Sequence, residues 1–226
     1  MSLLTKIARR LVFYTYPYDL TRDTTLLLSF MPPRTEELYR DIFPIAWKVL
    51  RISGGHVGTS AVANYSARLA FGVTQINNTN LTIPETYVEL GLGQSTKLTT
   101  NNEGFTHWSQ PIGKPIPADG PLKAINDTGD QKDISIGSLD VHNSSFLPII
   151  CWPRVNNGGT ATVKFTPDLH VYAYSGYRET ELIRGEVENF LGNWNLSTLL
   201  NSPNDNRFHL YEDKNEGQKL KLVKDG

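Results

Sequence analysis

The chain has 226 residues, 22 Lys and Arg against 23 Asp and Glu, and is 39 % hydrophobic and 10 % aromatic. That content of core formers excludes a disordered chain, and a formal net charge of -1 excludes a global field that would gather nucleic acid, so no nucleic-acid partner is expected. The single cysteine, Cys151, excludes an internal disulfide and any zinc site built of several thiolates, and no apolar run reaches the roughly 18 residues of a membrane-spanning helix.

Residues 3–12 place Leu3, Leu4, Ile7 and Leu11 at helical spacing with Lys6, Arg9 and Arg10 on other faces, which predicts a short basic amphipathic helix. Residues 1–18 are therefore read as an N-terminal segment, with Lys6, Arg9, Arg10 and Leu11 as candidate membrane-contact residues, and 19–226 as one β-sandwich domain. Tyr14, Tyr16 and Tyr18 around Pro17 read as an extended aromatic connector. A strand is predicted over Thr24–Phe30, and Thr35 is placed to cap a short helix over Glu36–Phe43 that Pro44 ends.

From Ile45 the pattern turns to period two. Strands over 45–52 and 67–73 are expected to pair as a hairpin around Gly54 and Gly55. Further strands are predicted at 87–92, 95–100, 134–141, 146–152, 160–166 and 169–174, with a final hairpin of 207–212 and 218–223. Residues 101–133, with four prolines, read as a long surface excursion, and Leu182, Ile183, Val187, Phe190, Leu191 and Trp194 as an interrupted helix. The fold class is thus mainly β, an antiparallel, jelly-roll-like sandwich of about ten strands with the N-terminal helix and one or two further short helices.

Several candidate sites fit poorly to known chemistry. Gly54–Ser60 follows a strand as a phosphate loop would, but it lacks the lysine and the following helix, so a hairpin loop is the simpler reading. Asp127, Asp130 and Asp133 surround Gly129 and offer hard oxygens for calcium without the EF-hand spacing, so the metal content is left open. Asp140 with His142 and Asp168 with His170 lie two apart on strands, but no nucleophile elbow or zinc-binding helix accompanies them; no cofactor is called for, and the balance leans away from an enzyme. Cys151 reads as a buried thiol.

The most suggestive cluster is aromatic. His170, Tyr172 and Tyr174 alternate with Leu169, Val171 and Ala173, so one strand face carries polar-tipped rings, joined by Tyr177 and Trp152. Trp108 and His107 in the proline-rich excursion offer a second stacking surface. The alternative is that the tyrosines follow β propensity and cover a second packed layer. At the level of architecture alone, a basic amphipathic N-terminus ahead of a β-sandwich is similar to actinoporin-type pore-formers and to several intracellular lectins; no functional position is carried over.

The leading expectation is a non-enzymatic recognition protein that binds a carbohydrate or glycolipid headgroup through exposed aromatics. A membrane-active protein using its N-terminal helix and a self-assembling jelly-roll protein, hence a homo-oligomer, are the alternatives. The N-terminus lacks the order of a secretory signal, which points to the cytoplasm, whereas six Asn-x-Ser/Thr sequons, at Asn64, Asn77, Asn80, Asn126, Asn143 and Asn195, keep a secreted form open.

Overall fold

The computed structural model describes residues 8–32, 36–77, 79–114, 120–140, 144–199 and 206–225. Within them the chain is mainly β, arranged in four open sheets. In chain order the strands are β1 (Ala8–Tyr14), β2 (Thr24–Phe30), β3 (Phe43–Pro44), β4 (Ala46–Ile52), β5 (Ser60–Ser66), β6 (Leu69–Ile76), β7 (Thr82–Leu90), β8 (Ser95–Thr100) and β9 (Thr106–Trp108). They continue with β10 (Leu122–Asp127), β11 (Lys132–Leu139), β12 (Phe146–Val155), β13 (Thr160–Val163), β14 (Asp168–Ala173), β15 (Phe190–Asn195), the single helical turn α1 (Leu196–Leu199), β16 (Asn206–Asp213) and β17 (Lys219–Lys224).

The ends of the chain and its middle build different sheets. One sheet has the order β17-β16-β1-β5 and another β15-β14-β2-β4, while residues between β5 and β14, with β3, form β3-β12-β11-β6-β7 and β13-β10-β8-β9. Aromatic rings join the first two sheets: Phe30 lies 5.3 Å from Tyr65, and Trp194 meets Phe208 edge-on at 4.9 Å. The middle sheets share a core of Phe71, Ile134, Ile136 and Trp152 with Leu98, Leu122 and Ala161, continuous with the first. Period two dictates this: in β2 Leu26, Leu28 and Phe30 face that core, and in β6 Leu69 and Phe71 do.

The predicted N-terminal helix is not formed over the described residues. Residues 8–14 are β1, the inner strand between β16, which runs parallel to it, and β5, which runs antiparallel. Leu11 and Phe13 are fully buried, alternating with Arg10 and Tyr14, so pairing on both edges and a period of two override the helical spacing. The remainder of the proposed helix, Lys6 included, lies outside the described residues.

Four other expectations change. Glu36–Phe43 is a turn, closed by the amides of Arg40, Asp41 and Ile42 on the Glu37 carbonyl, because Phe43 and Pro44 are drawn out to pair with β12. The interrupted helix of 182–194 is instead an irregular crossing and β15; Leu182 bridges Ile45, Glu181 bridges Leu81, and Asn189 and Gly192 have positive φ. The excursion 101–133 contains β9 and β10, and β10 sits inside its sheet, parallel to β8. The expected hairpin of 45–52 with 67–73 is absent: β4 pairs β2, β6 pairs β7 and β11, and β5 intervenes. The final hairpin forms as expected, β16 with β17, turning through a 3-10 turn at Lys214–Glu216.

Candidate functional site

The sheet β15-β14-β2-β4 presents its outer face with His170 and Tyr172 on β14. Tyr172 is buried there against Leu27, Ala46 and Ile183, with Tyr174, Tyr177 and Val187 beside it, because the segment after β14 folds back over the sheet. Burial is the main reason its phenol is pushed up to about 12. His170 Nδ1 lies 3.3 Å from the Tyr172 hydroxyl, and Phe190 covers both rings at 5.4 Å. Tyr174 and Tyr177 pack on each other at 5.6 Å. These tyrosines form a second packed layer, with Phe190 its exposed edge.

The other predicted rings are elsewhere. Trp152 is buried beside Phe71 in the middle core. Trp108 donates from Nε1 to the Thr86 carbonyl at 3.3 Å, joining β9 to β7, and the exposed His107 lies 3.0 Å from the Thr99 hydroxyl on β8. Of the candidate membrane-contact residues, Leu11 is in the core, Arg10 is exposed and Arg9 is half-buried.

A larger aromatic array lies on the outer face of β17-β16-β1-β5 and on the turn after β1. Tyr14 on β1 stacks on His209 of β16 at 5.2 Å, as the register Tyr14 to His209 requires. Tyr16 meets both rings edge-on, at 5.4 and 5.1 Å, and Tyr211 lies 5.1 Å from His209. The Arg207 guanidinium sits 4.5 Å over the Tyr14 ring, whose hydroxyl donates to Asp225 at 2.9 Å. Burial and then that carboxylate push the Tyr14 phenol up to about 12.

The turn itself is fixed from both sides. Asp19 accepts the Tyr16 amide at 2.6 Å and lies 2.6 Å from His209 Nε2, and its carbonyl accepts the Glu212 amide at 2.8 Å. Tyr18, at φ 68, donates its amide to the Gly55 carbonyl at 2.9 Å, and its ring meets His56 at 5.1 Å. Gly54 is required in this loop because a Cβ would stand 2.6 Å from the Arg22 backbone; close approach, and not phosphate binding, accounts for it. Yet Tyr16 and Tyr18 remain 57 % and 64 % exposed. The connector expected from the sequence is thus a held turn, and the only signal of it along the chain is the period of two of Tyr14, Tyr16 and Tyr18 beside Pro17.

The remaining candidates resolve into structural roles. Asp127 pairs Lys97 at 3.1 Å and Asp133 accepts the Arg154 amide at 2.7 Å, so these carboxylates serve different neighbours; no cluster of three potential metal ligands exists among the described residues. Three sequons share one turn: the Asn oxygen accepts both the amide and the hydroxyl of the residue two on, at Asn77 with Thr79, Asn126 with Thr128 and Asn195 with Ser197. Asn126 is fully buried. Asn143 and His142 lie outside the described residues. Burial pushes the Cys151 thiol up to about 12, which keeps it an unreactive core group.

No family model, curated protein or solved structure matches the chain.

Proposed function

We propose that this chain is a non-enzymatic recognition protein, a sandwich-like β scaffold that binds the apolar face of a sugar ring on Tyr16, Tyr18 and the rings around His209. The observation that carries this reading is a pair of tyrosines left more than half exposed on a turn held by several hydrogen bonds. Tyr172 in the packed layer is covered, whereas rings held open in one geometry lose little conformational freedom when a flat ligand stacks on them. Asp19, Glu212 and His56 stand at the same turn and supply polar atoms for sugar hydroxyls.

An array of immobilised glycans, followed by titration of the best oligosaccharide free and on lipid vesicles, tests this. Binding by the wild type that is lost in the Tyr16→Ala/Tyr18→Ala variant, with the melting temperature unchanged, is the expected result. The free and lipid-borne arms separate a soluble glycan from a glycolipid headgroup. Absence of glycan binding, or binding that the double variant retains, overturns the reading.

A further inference from the structure

One end of the sheet β3-β12-β11-β6-β7 carries a second candidate site that shares no residue with the aromatic array. A hollow of about 290 Å³ is lined by Arg40, Arg154 and Arg184 together with Phe43 and Ile76, and it runs into a shallower groove of about 450 Å³ through the shared residues Ile76, Asp133 and Arg154. Three guanidiniums from three separate stretches of chain therefore open on one concavity.

Each is placed by a specific local feature. Arg154 stands at a bulge where β12 places two residues opposite Asp133: the register runs Lys132 to Val155 and then Ile134 to Trp152. Its φ is 54, a left-handed conformation that a residue with a Cβ adopts only at a cost, and the Asp133 carboxylate holds it there through the Arg154 amide at 2.7 Å. A glycine would fill this bulge without strain; the arginine adds a guanidinium that has no hydrogen-bond or ion-pair partner among the described residues. Arg184 is steered by Nε on the Asn80 oxygen at 2.9 Å and by its seat 5.3 Å over the Phe43 ring, which leaves its terminal nitrogens for a ligand. Arg40 is paired through Nε with Asp41 at 2.7 Å.

Four cations, Arg40, Lys132, Arg154 and Arg184, line the concavity against three carboxylates, each of which has a partner. Asp41 takes Arg40, Asp133 takes the bulge amide, and Glu85 accepts the Gln75 side chain. Arginine presents a planar fork of donors that matches an oxyanion with two or three equivalent oxygens, and strain held beside such a fork is found where a side chain must be aimed.

We propose that the hollow between Arg40, Arg154 and Arg184 binds the phosphate group of a ligand. Calorimetric titration with inorganic pyrophosphate at fixed ionic strength, and sedimentation with vesicles containing phosphatidic acid, test it and distinguish a soluble from a lipid source. Saturable binding in at least one arm is expected, weakened about tenfold or more in Arg154→Gly and in Arg184→Gln and unchanged in Lys123→Gln, an exposed cation on β10. Arg154→Gly relieves the backbone while deleting the guanidinium, so its melting temperature stays equal or rises as binding falls. No saturable binding in either arm, or equal losses in all three variants, overturns the proposal.

Discussion

The Asp19 carboxylate lies 2.6 Å from His209 Nε2, a contact that ties the turn after the first strand to the next-to-last strand across 190 positions of sequence. Both side chains are only about a quarter exposed, so water screens the contact incompletely. His209→Gln and Asp19→Asn should each cost about 1 kcal/mol, measured as the shift of the urea midpoint, and the double variant should cost less than their sum. Both should also weaken glycan binding, because Tyr16 loses the neighbours that fix its ring.

Removal of residues 1–18 should abolish the cooperative thermal transition. The deletion takes out β1, whose edges pair both β16 and β5 and whose Leu11 and Phe13 are fully buried. Calorimetry of the truncated chain checks this; a cooperative melt near that of the full chain would contradict it.

Gly137→Ala should cost about 2–3 kcal/mol, since a Cβ there would stand 2.2 Å from the Leu147 carbonyl oxygen, an atom of the paired strand that cannot swing aside. Gly185→Ala, with open space around the new methyl, should change stability by less than about 0.5 kcal/mol. Denaturant unfolding of the pair gives the comparison.

Asn126→Ala should cost about 2 kcal/mol, because the buried side chain donates to the Asp130 and Val155 carbonyls at 2.7 and 2.8 Å and accepts from Thr128. Asn77→Ala removes the same kind of turn at the surface and should cost about half as much, again by urea midpoint.

Stability should fall at alkaline pH. The folded chain holds the Cys151 proton to about 12 against an ordinary 9.0, and the Tyr14 and Tyr172 protons to about 12 against 10.0. The unfolded chain therefore gives up these protons first: their contribution is whole below about pH 9 and drains away as pH rises toward 12. Unfolding midpoints measured from neutral pH upward check the sign, and Cys151→Ala should delay the onset of the fall.

Ser95–Thr100 and the hairpin of β16 with β17 were legible in the sequence because each carries its own period, and Thr24–Phe30 because it is a short apolar run stopped by Pro32 and Pro33. β1 was not, since Leu3, Leu4, Ile7 and Leu11 present a helical spacing that only pairing with distant strands overrides. β10 was hidden among prolines for the same reason. Of the candidate site, His170, Tyr172 and Tyr174 had the right alternation, but nothing local shows that the segment after β14 returns to cover Tyr172. Tyr16 and Tyr18 were visible as residues; what holds their rings open comes from Gly55 and His209, and no spacing along the chain reports that.

The parallel pairing of β1 with β16 also sets an order on how the molecule forms. During synthesis the partner of Leu11 and Tyr14 arrives only when Asn206–His209 has left the ribosome, so β1 waits with one backbone edge bare while β2 to β15 are made. The hairpins of the middle sheets close early from local sequence, whereas the sheet β17-β16-β1-β5 is completed only by this late, long-range step. Refolding should accordingly be slow and concentration-sensitive, with β1 the edge most open to pairing with another copy of itself.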